Sequence, residues 1–343
     1  EWAGQNWTVD ARVDYTVYDS SNATYNYTVD PSSIYDGYVS EISISSSPVS
    51  NYSLKIILNS SWSGWSYVSD NGSDIFFTDE DGDPLYYWIE YFDKTGERAV
   101  LWVRLNLSSS TTIRMYFGGS SNPCSSYNDP YRVFEFFDGF EDNQLDGWVI
   151  DSGSWDVIDG IANGTGFVHH GSLSVSSGII IEIKGKPGAN GYYSLIWSFT
   201  DTSNYWFADV NADVDMITLG KVESGTETYS YVSVAIGSQW YITSLEWGSD
   251  NSVLVTVYNE DWTLVEDLSD SGGWTGSIGW RGVNDMAYID WIRTRKLVSP
   301  EPTVTVSSPS THVLEGSKAY VIIPKGYDLV STNSASYTRA SYN

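Results

Sequence analysis

The chain has 343 residues, enough for two domains, and with 41% hydrophobic residues it can bury real cores. Its 44 acidic residues outnumber 17 basic ones, and the formal charge of −27 excludes a nucleic-acid partner, because phosphate binding needs basic patches. Cys124 is the only cysteine, so no intrachain disulfide forms, and no apolar run reaches the ~18 residues of a membrane span.

A total of 16 Trp and 26 Tyr, set among Ser, Thr, Asn and Gly, favours strands and turns. No segment shows a sustained helical period, so an all-β chain is expected. The excess of carboxylates suits a solvated surface and also supplies oxygen ligands for calcium. The sequence opens at Glu1-Trp2 with neither Met nor leader, as expected of a mature exported chain. The long apolar amino-terminal helix of a pilin-type or archaellin-type subunit is also missing.

In chain order, Trp7–Tyr18 alternates strictly. Trp7, Val9, Ala11, Val13, Tyr15 and Val17 fall on one face, with polar or charged residues and Tyr18 on the other. As one strand it would extend about 40 Å at ~3.3 Å per residue, with an exposed ladder edge unless another strand pairs with it. A polar stretch, 19–33, follows as a linker. From 34 to 133 the pattern predicts a β-sandwich, with strands at 39–45, 52–58, 73–77, 86–92, 99–107 and 111–117 punctuated by turn sequences. From 134 to 298 a larger set is predicted: 155–158, 178–183, 192–200, 205–208, 217–222, 229–235, 240–247, 252–258, 276–280 and 287–293. Their number and spacing fit a two-sheet jelly roll. Ser299-Pro-Glu-Pro302 then reads as a rigid linker to a tail, 299–343, with further strands at 303–306 and 319–323.

Asn-x-Ser/Thr sequons occur at Asn6, Asn22, Asn26, Asn51, Asn59, Asn71, Asn106 and Asn163. Their crowding in turn-like stretches marks them as acceptors for covalent N-glycans on an extracellular, cell-surface protein.

Gly72-Ser-Asp-Ile-Phe-Phe-Thr-Asp-Glu-Asp-Gly-Asp-Pro-Leu-Tyr-Tyr-Trp-Ile-Glu90 resembles the signature of an uncharacterised β domain of archaeal and bacterial surface proteins. The 99–103 strand, Met115-Tyr-Phe-Gly118 and Asp129-Pro-Tyr-Arg-Val-Phe134 continue that resemblance over about 38–137. It implies location and architecture only. Next, Phe136-Phe-Asp-Gly-Phe-Glu-Asp142, Leu145-Asp-Gly-Trp148, Ser152–Gly160 and Tyr288-Ile-Asp-Trp-Ile-Arg293 are similar to concanavalin-like, laminin-G-like jelly rolls over about 134–298. Such jelly rolls bind sugars, bind calcium or act as spacers, and fold alone does not choose among these.

In this kind of jelly roll the opening and closing segments occupy neighbouring strands, so Asp138, Glu141 and Asp290 become candidate ligands for one structural calcium ion. Asp79, Asp81 and Asp83 form a weaker candidate, because the distal Glu of an EF-hand loop is missing and an Asp-capped turn explains the same residues. His169 and His170 read as a solvent-facing loop pair, without the further His or Cys that a transition metal needs. No catalysis is expected. The Glu-x-Asp-x-x-Glu strand of jelly-roll glycosidases, Gly-x-Ser-x-Gly and the phosphate-binding glycine loops are all missing.

Two functions fit. One is a structural subunit, archaeal in character, that polymerises with copies of itself into an extracellular filament or surface assembly by donating Trp7–Tyr18 to a neighbour. The other is a monomeric adhesin or lectin-like protein that binds surface carbohydrate, with Tyr192, Tyr205, Trp206 and Trp274 as candidate stacking rings.

Overall fold

The computed structural model describes residues 35–312 together with two short strands before them. Those strands, β1 (Val17–Tyr18) and β2 (Thr24–Tyr25), pair antiparallel. Val17 therefore lies in a strand as expected, while Trp7, Val9, Ala11, Val13 and Tyr15 lie outside the described residues, as does 319–323.

The first sandwich contains β3 (Tyr38–Ser45), β4 (Val49–Leu58), β5 (Phe76–Thr78), β6 (Tyr87–Asp93), β7 (Arg98–Leu107) and β8 (Ser110–Phe117). A single helical turn, α1 (Pro130–Val133), is capped by the Asp129 side chain and leads into the second unit. That unit contains β9 (Phe136–Asp138), β10 (Trp148–Ile150), β11 (Ser154–Ile158), β12 (Ile161–Val175), β13 (Ile179–Lys186), β14 (Tyr192–Asp201) and β15 (Asn204–Asn211). It continues with β16 (Met216–Glu223), β17 (Thr226–Ser233), β18 (Tyr241–Trp247), β19 (Ser252–Asn259), β20 (Leu264–Ser271) and β21 (Gly276–Lys296). Two last strands, β22 (Thr303–Val306) and β23 (Ser310–Thr311), end the described chain.

The expected all-β sandwich and jelly-roll class is the one observed. In the first unit one sheet runs β22-β3-β8-β5 and the other β4-β7-β6. Ile42 and Ile44 of the first sheet meet Leu54, Ile56, Leu101 and Val103 of the second, with Cys124 buried beside them. The strand at 303–306 belongs to this sandwich rather than to a tail, because Thr303–Val306 pairs antiparallel with Ser45–Ile42. The jelly roll is thus inserted between β8 and β22.

The jelly roll's two sheets are joined through β21, a 21-residue strand that serves both. Its first half lies between β14 and β12, and its second half pairs with β13 and β9. The front sheet is therefore β17-β16-β15-β14-β21-β12, and the back sheet is β20-β19-β18-β13-β21-β9. Alternate residues from each sheet, among them Leu195, Trp197, Trp206, Trp280, Leu245 and Val255, fill the space between them.

The sequence also explains how the two units meet. β7 is buried on both faces: Leu101 and Val103 enter the first core, whereas Val100 and Trp102 point the other way. There they pack with Phe134, Phe137, Ile242, Trp262 and Trp291 against the jelly roll's back sheet. Charge is buried in the same seam. Glu182, with no exposed surface, accepts from Arg293 Nε at 2.6 Å and Arg295 Nε at 3.3 Å. Arg293 also donates to Glu90 at 2.9 Å, and Arg295 donates to Glu301 at 2.9 Å. Glu90 further accepts from the indoles of Trp102 and Trp262, and Glu301 from the Tyr52 hydroxyl. Burial raises the Glu182 carboxyl, but Arg293, Arg295 and Lys55 outweigh it and hold it at about 2.

Candidate functional site

Antiparallel pairing places directly opposed residues on the same sheet face, so the outer face of the front sheet can be read row by row. One row runs Tyr231, Thr218, Asp209, Ser194, Arg281, Phe167 across six strands. The next runs Tyr229, Gly220, Phe207, Ile196, Gly279, His169. Glycine at two positions of this second row keeps it low, while large rings stand on either side.

At the centre Arg281 donates from Nε to Ser194 Oγ at 2.8 Å and from Nη1 to the Tyr205 hydroxyl at 2.9 Å. Its Nη2 lies 3.3 Å from Asp209 Oδ1, and Ser194 donates to the same carboxylate oxygen. Burial pushes the Asp209 carboxyl above its usual range, further than Arg281 and Ser194 pull it down. The guanidinium lies 4.8 Å from the Phe207 ring centre and 5.4 to 5.7 Å from those of Tyr192, Phe167 and Tyr205. Tyr229 and Tyr231, at 56% and 57% exposure, stand at the edge of the face. Opposite them His169 pairs with Asp151 at 2.6 Å and stacks on Phe199 at 4.7 Å. His169 and His170 therefore belong to β12, not to a loop, and His170 Nδ1 accepts from the Leu173 amide at 2.8 Å.

Arg281, Asp209, Ser194, Tyr205 and Phe207 are themselves buried and form the base of this face, while Tyr229 and Tyr231 offer exposed flat rings above it. Exposed rings beside a fixed polar base suit a ligand with apolar faces and hydroxyl edges. Of the rings expected to stack on sugar, Tyr192 is here and half-buried, and Tyr205 lies on this face but is buried at 3% exposure, closed to a stacking ligand. Trp206 points into the core, and Trp274 packs against that core. Arg281, Asp209, Tyr229 and Tyr231 were not singled out by the sequence. An arginine in the otherwise apolar-and-glycine run Ile278-Gly-Trp-Arg-Gly-Val283 was the available signal.

The calcium candidates are differently placed. β9 and β21 are neighbours, as the resemblance implied, but the register sets Asp138 opposite Ile292. Asp138 accepts from Trp148 Nε1 at 2.6 Å and from the Phe140 amide at 2.9 Å, and burial raises its pKa. Glu141 accepts from the Tyr131 hydroxyl, and Asp290 pairs with Lys184 at 2.9 Å. Asp138 and Glu141 are near each other, and Asp290 is taken up elsewhere. Asp79 Oδ1 accepts from the amides of Asp81 and Asp83 at 3.0 and 2.9 Å, forming the Asp-capped turn with Gly82 at φ +89°. Among the described residues no three His, Cys, Asp or Glu side chains are grouped to hold a metal.

Of the sequons, Asn6, Asn22 and Asn26 lie outside the described residues. Asn51, Asn59, Asn71 and Asn106 are exposed. Asn59, Asn71 and Asn106 each use Oδ1 as a hydrogen-bond acceptor, leaving Nδ2, the atom that would carry a sugar, without a hydrogen bond among the described residues. Asn163 is half-buried in β12, where its Nδ2 donates to the carbonyls of Asp156 and Ile161.

Residues 71–158 match a family model. It is described as a domain of unknown function, DUF2341. The match starts later than the expected 38–137 and runs on to the end of β11, across the junction of the two units. No curated protein matches the sequence. Among solved structures, the chain is similar to the carbohydrate-binding module CBM66 of Bacillus subtilis, at 24% identity and a TM-score of 0.37, covering 44% of this chain and 96% of that one. A β-1,3-glucanase of Mycobacterium marinum matches at 10% identity and a TM-score of 0.35, covering 47% and 98%. Galectin LEC-6 of Caenorhabditis elegans matches at 6% identity and a TM-score of 0.29, covering 44% and 97%.

Proposed function

We propose that this chain is an extracellular surface protein that binds carbohydrate on the outer face of its front sheet. The observation that carries this reading is the ring-bordered Arg281–Asp209–Ser194 cluster, which fixes the face before any ligand arrives. Sugar C–H faces would lie on Tyr229, Tyr231 and Tyr192, with hydroxyls meeting the phenol groups, while the buried polar row beneath holds the sheet face in shape. The reading is one of binding without hydrolysis. Asp209 is committed to Arg281, whereas glycoside cleavage takes two carboxyl groups flanking the scissile bond.

Polysaccharide and glycan-array binding tests the proposal, run with calcium and with chelator. The wild-type chain is expected to bind at least one glycan class, and the Tyr229→Ala/Tyr231→Ala pair to weaken it about tenfold. A chain that binds no glycan, or a double variant that binds equally well, would sink it. Loss of binding in chelator alone would direct attention back to Asp138 and Glu141.

Self-assembly is the second reading, favoured by one feature of the first sandwich. Among the described residues β22 pairs only with β3, so its other edge has room for an added strand such as Trp7–Tyr18 of a neighbouring copy. Deleting residues 1–30 is then expected to turn large assemblies into monomers somewhat lighter than the 38.2 kDa full chain in light scattering, and assemblies of unchanged size would rule strand donation out.

A further inference from the structure

Away from the jelly-roll face, the first sandwich has a groove of about 660 Å³ where its two sheets part, beside the β7–β8 hairpin. At its base lie the half-buried Leu85 and the largely covered side chains of Leu105 and Ile113. Hydroxyls of Ser108 and Thr111 line one rim, and the Asp79–Asp81 turn lines the other. Tyr86, 37% exposed, presents its ring to the groove and is braced by Tyr127 at 4.9 Å and by the Arg132 guanidinium at 5.9 Å. This volume is of the size that holds a small ligand, typically about 300–1,000 Å³.

Two of the eight sequon asparagines, Asn51 and Asn106, also line this groove. They are not equivalent. The Asn51 amide donates to Asn106 Oδ1 at 2.8 Å, which fixes the Asn106 side chain and leaves its Nδ2 free of hydrogen bonds among the described residues. Asn51 itself sits at φ +52° in the bulge of β4. Tyr86 is held beside Arg104 by the bond from the Arg104 amide to the Tyr86 carbonyl at 2.9 Å. Arg104 is two residues from Asn106 on the same face of β7, about 7 Å along a strand. A chain of sugars leaving Asn106 Nδ2 therefore starts at one end of a groove with hydroxyl and carboxylate rims and an aromatic ring within the reach of its first units.

We propose that Asn106 carries an N-linked glycan whose first sugars lie in this groove, stacked on Tyr86. The occupant is a modification of the chain itself, and its seat lies in the family-matched segment and the strands around it. The glycan would cover the exposed Tyr86 ring and the half-buried Leu85 beside it.

The test uses the full chain secreted from a eukaryotic host that attaches N-glycans. Peptide mapping is expected to find Asn106 occupied. Enzymatic release of that glycan is expected to run about tenfold slower from the folded than from the denatured chain, and Tyr86→Ala to bring the two rates together. An unmodified Asn106, or equal release from folded and denatured wild type, overturns the proposal. Ser108→Ala removes the sequon while keeping Asn106. If the sugar-free Ser108→Ala chain binds the free oligosaccharide while wild-type Asn106 stays unmodified, the groove takes an outside glycan and the proposal also falls. None of these readouts involves Tyr229 or Tyr231, so this proposal and the one for the jelly-roll face can fail separately.

Discussion

Two buried ionic clusters in this molecule use the same chemistry on opposite sides of the jelly roll, with different results. In the seam between units, Glu182 is shared by two arginines, and each of those arginines reaches a second carboxylate, Glu90 or Glu301. Rings close the remaining sides: the Arg293 guanidinium lies 4.2 to 4.4 Å from the centres of Trp291, Trp102 and Phe134. On the outer face, a single acid, Asp209, meets a single arginine at 3.3 Å, and only sheet-face rings surround them. Saturation drives the Glu182 pKa down, and under-compensation leaves the Asp209 pKa up. The first arrangement cements two domains. The second, itself buried, props the sheet face on which Tyr229 and Tyr231 stand exposed.

The largest effect expected is from Glu182→Gln. It takes the shared carboxylate from two buried guanidiniums, leaving each with one acid partner, Glu90 or Glu301, and should lower unfolding stability by about 3 kcal/mol in urea titrations at pH 7. A loss under about 1 kcal/mol would mean the seam holds without its charge. The same carboxylate sets an acid window. Its folded pKa is about 2 against an ordinary carboxyl value of 4.5, so its contribution is present above pH 4.5 and fades as pH falls towards 2. Glu182→Gln should flatten that part of the stability profile.

Lys55 sharpens the contrast at the alkaline end. Burial first, and Arg295 second, lower its amine to about 8 from 10.5, and it sits 3.9 Å over the Trp262 ring. The unfolded chain holds that proton more tightly, so stability should rise as pH increases from 8 towards 10.5, and Lys55→Met should remove the rise. For Asp209 the sign is the reverse of Glu182. With its folded pKa raised, the group favours the folded state at low pH and opposes it as pH climbs through that value. Asp209→Asn should therefore cost less than Glu182→Gln at pH 7, and a larger loss would mean that the outer cluster is the real cement. The smallest effect, about 1 kcal/mol, is expected from Asp79→Ala, which removes the acceptor for two turn amides. A calcium-dependent melting temperature that this variant abolishes would instead mark the turn as a metal site.

Much of the fold was legible because alternation is a local signal. Predicted strands such as 99–107 and 252–258 lie within a residue of β7 and β19. Strands with the wrong chemistry were missed. β12 carries three glycines and two histidines and is bulged, so its period breaks, and β20 is an acidic edge strand that reads as a loop. Residues 276–280 and 287–293 were read as two strands because nothing in their sequence shows one strand passing from sheet to sheet. The candidate site was less legible still. Ser194 and Asp209 share the β14–β15 hairpin, but Arg281 lies 87 residues beyond Ser194, and only register brings it into their row. Pairing across 260 residues likewise hid the return of β22 to β3.

That return decides how the molecule carries a pull. The described body begins at Tyr35 and ends at His312, and these ends leave side by side: Thr311 opposes Tyr38, and the His312 amide bonds to the Gly37 carbonyl at 2.9 Å. Tension drawing the two ends apart would open this seam one rung at a time, β23 before β22, like a zip. The jelly roll, looped between β8 and β22, would remain slack until those rungs had gone. Whatever its front sheet holds would thus be shielded from load by a few inexpensive hydrogen bonds that can re-form when the pull stops.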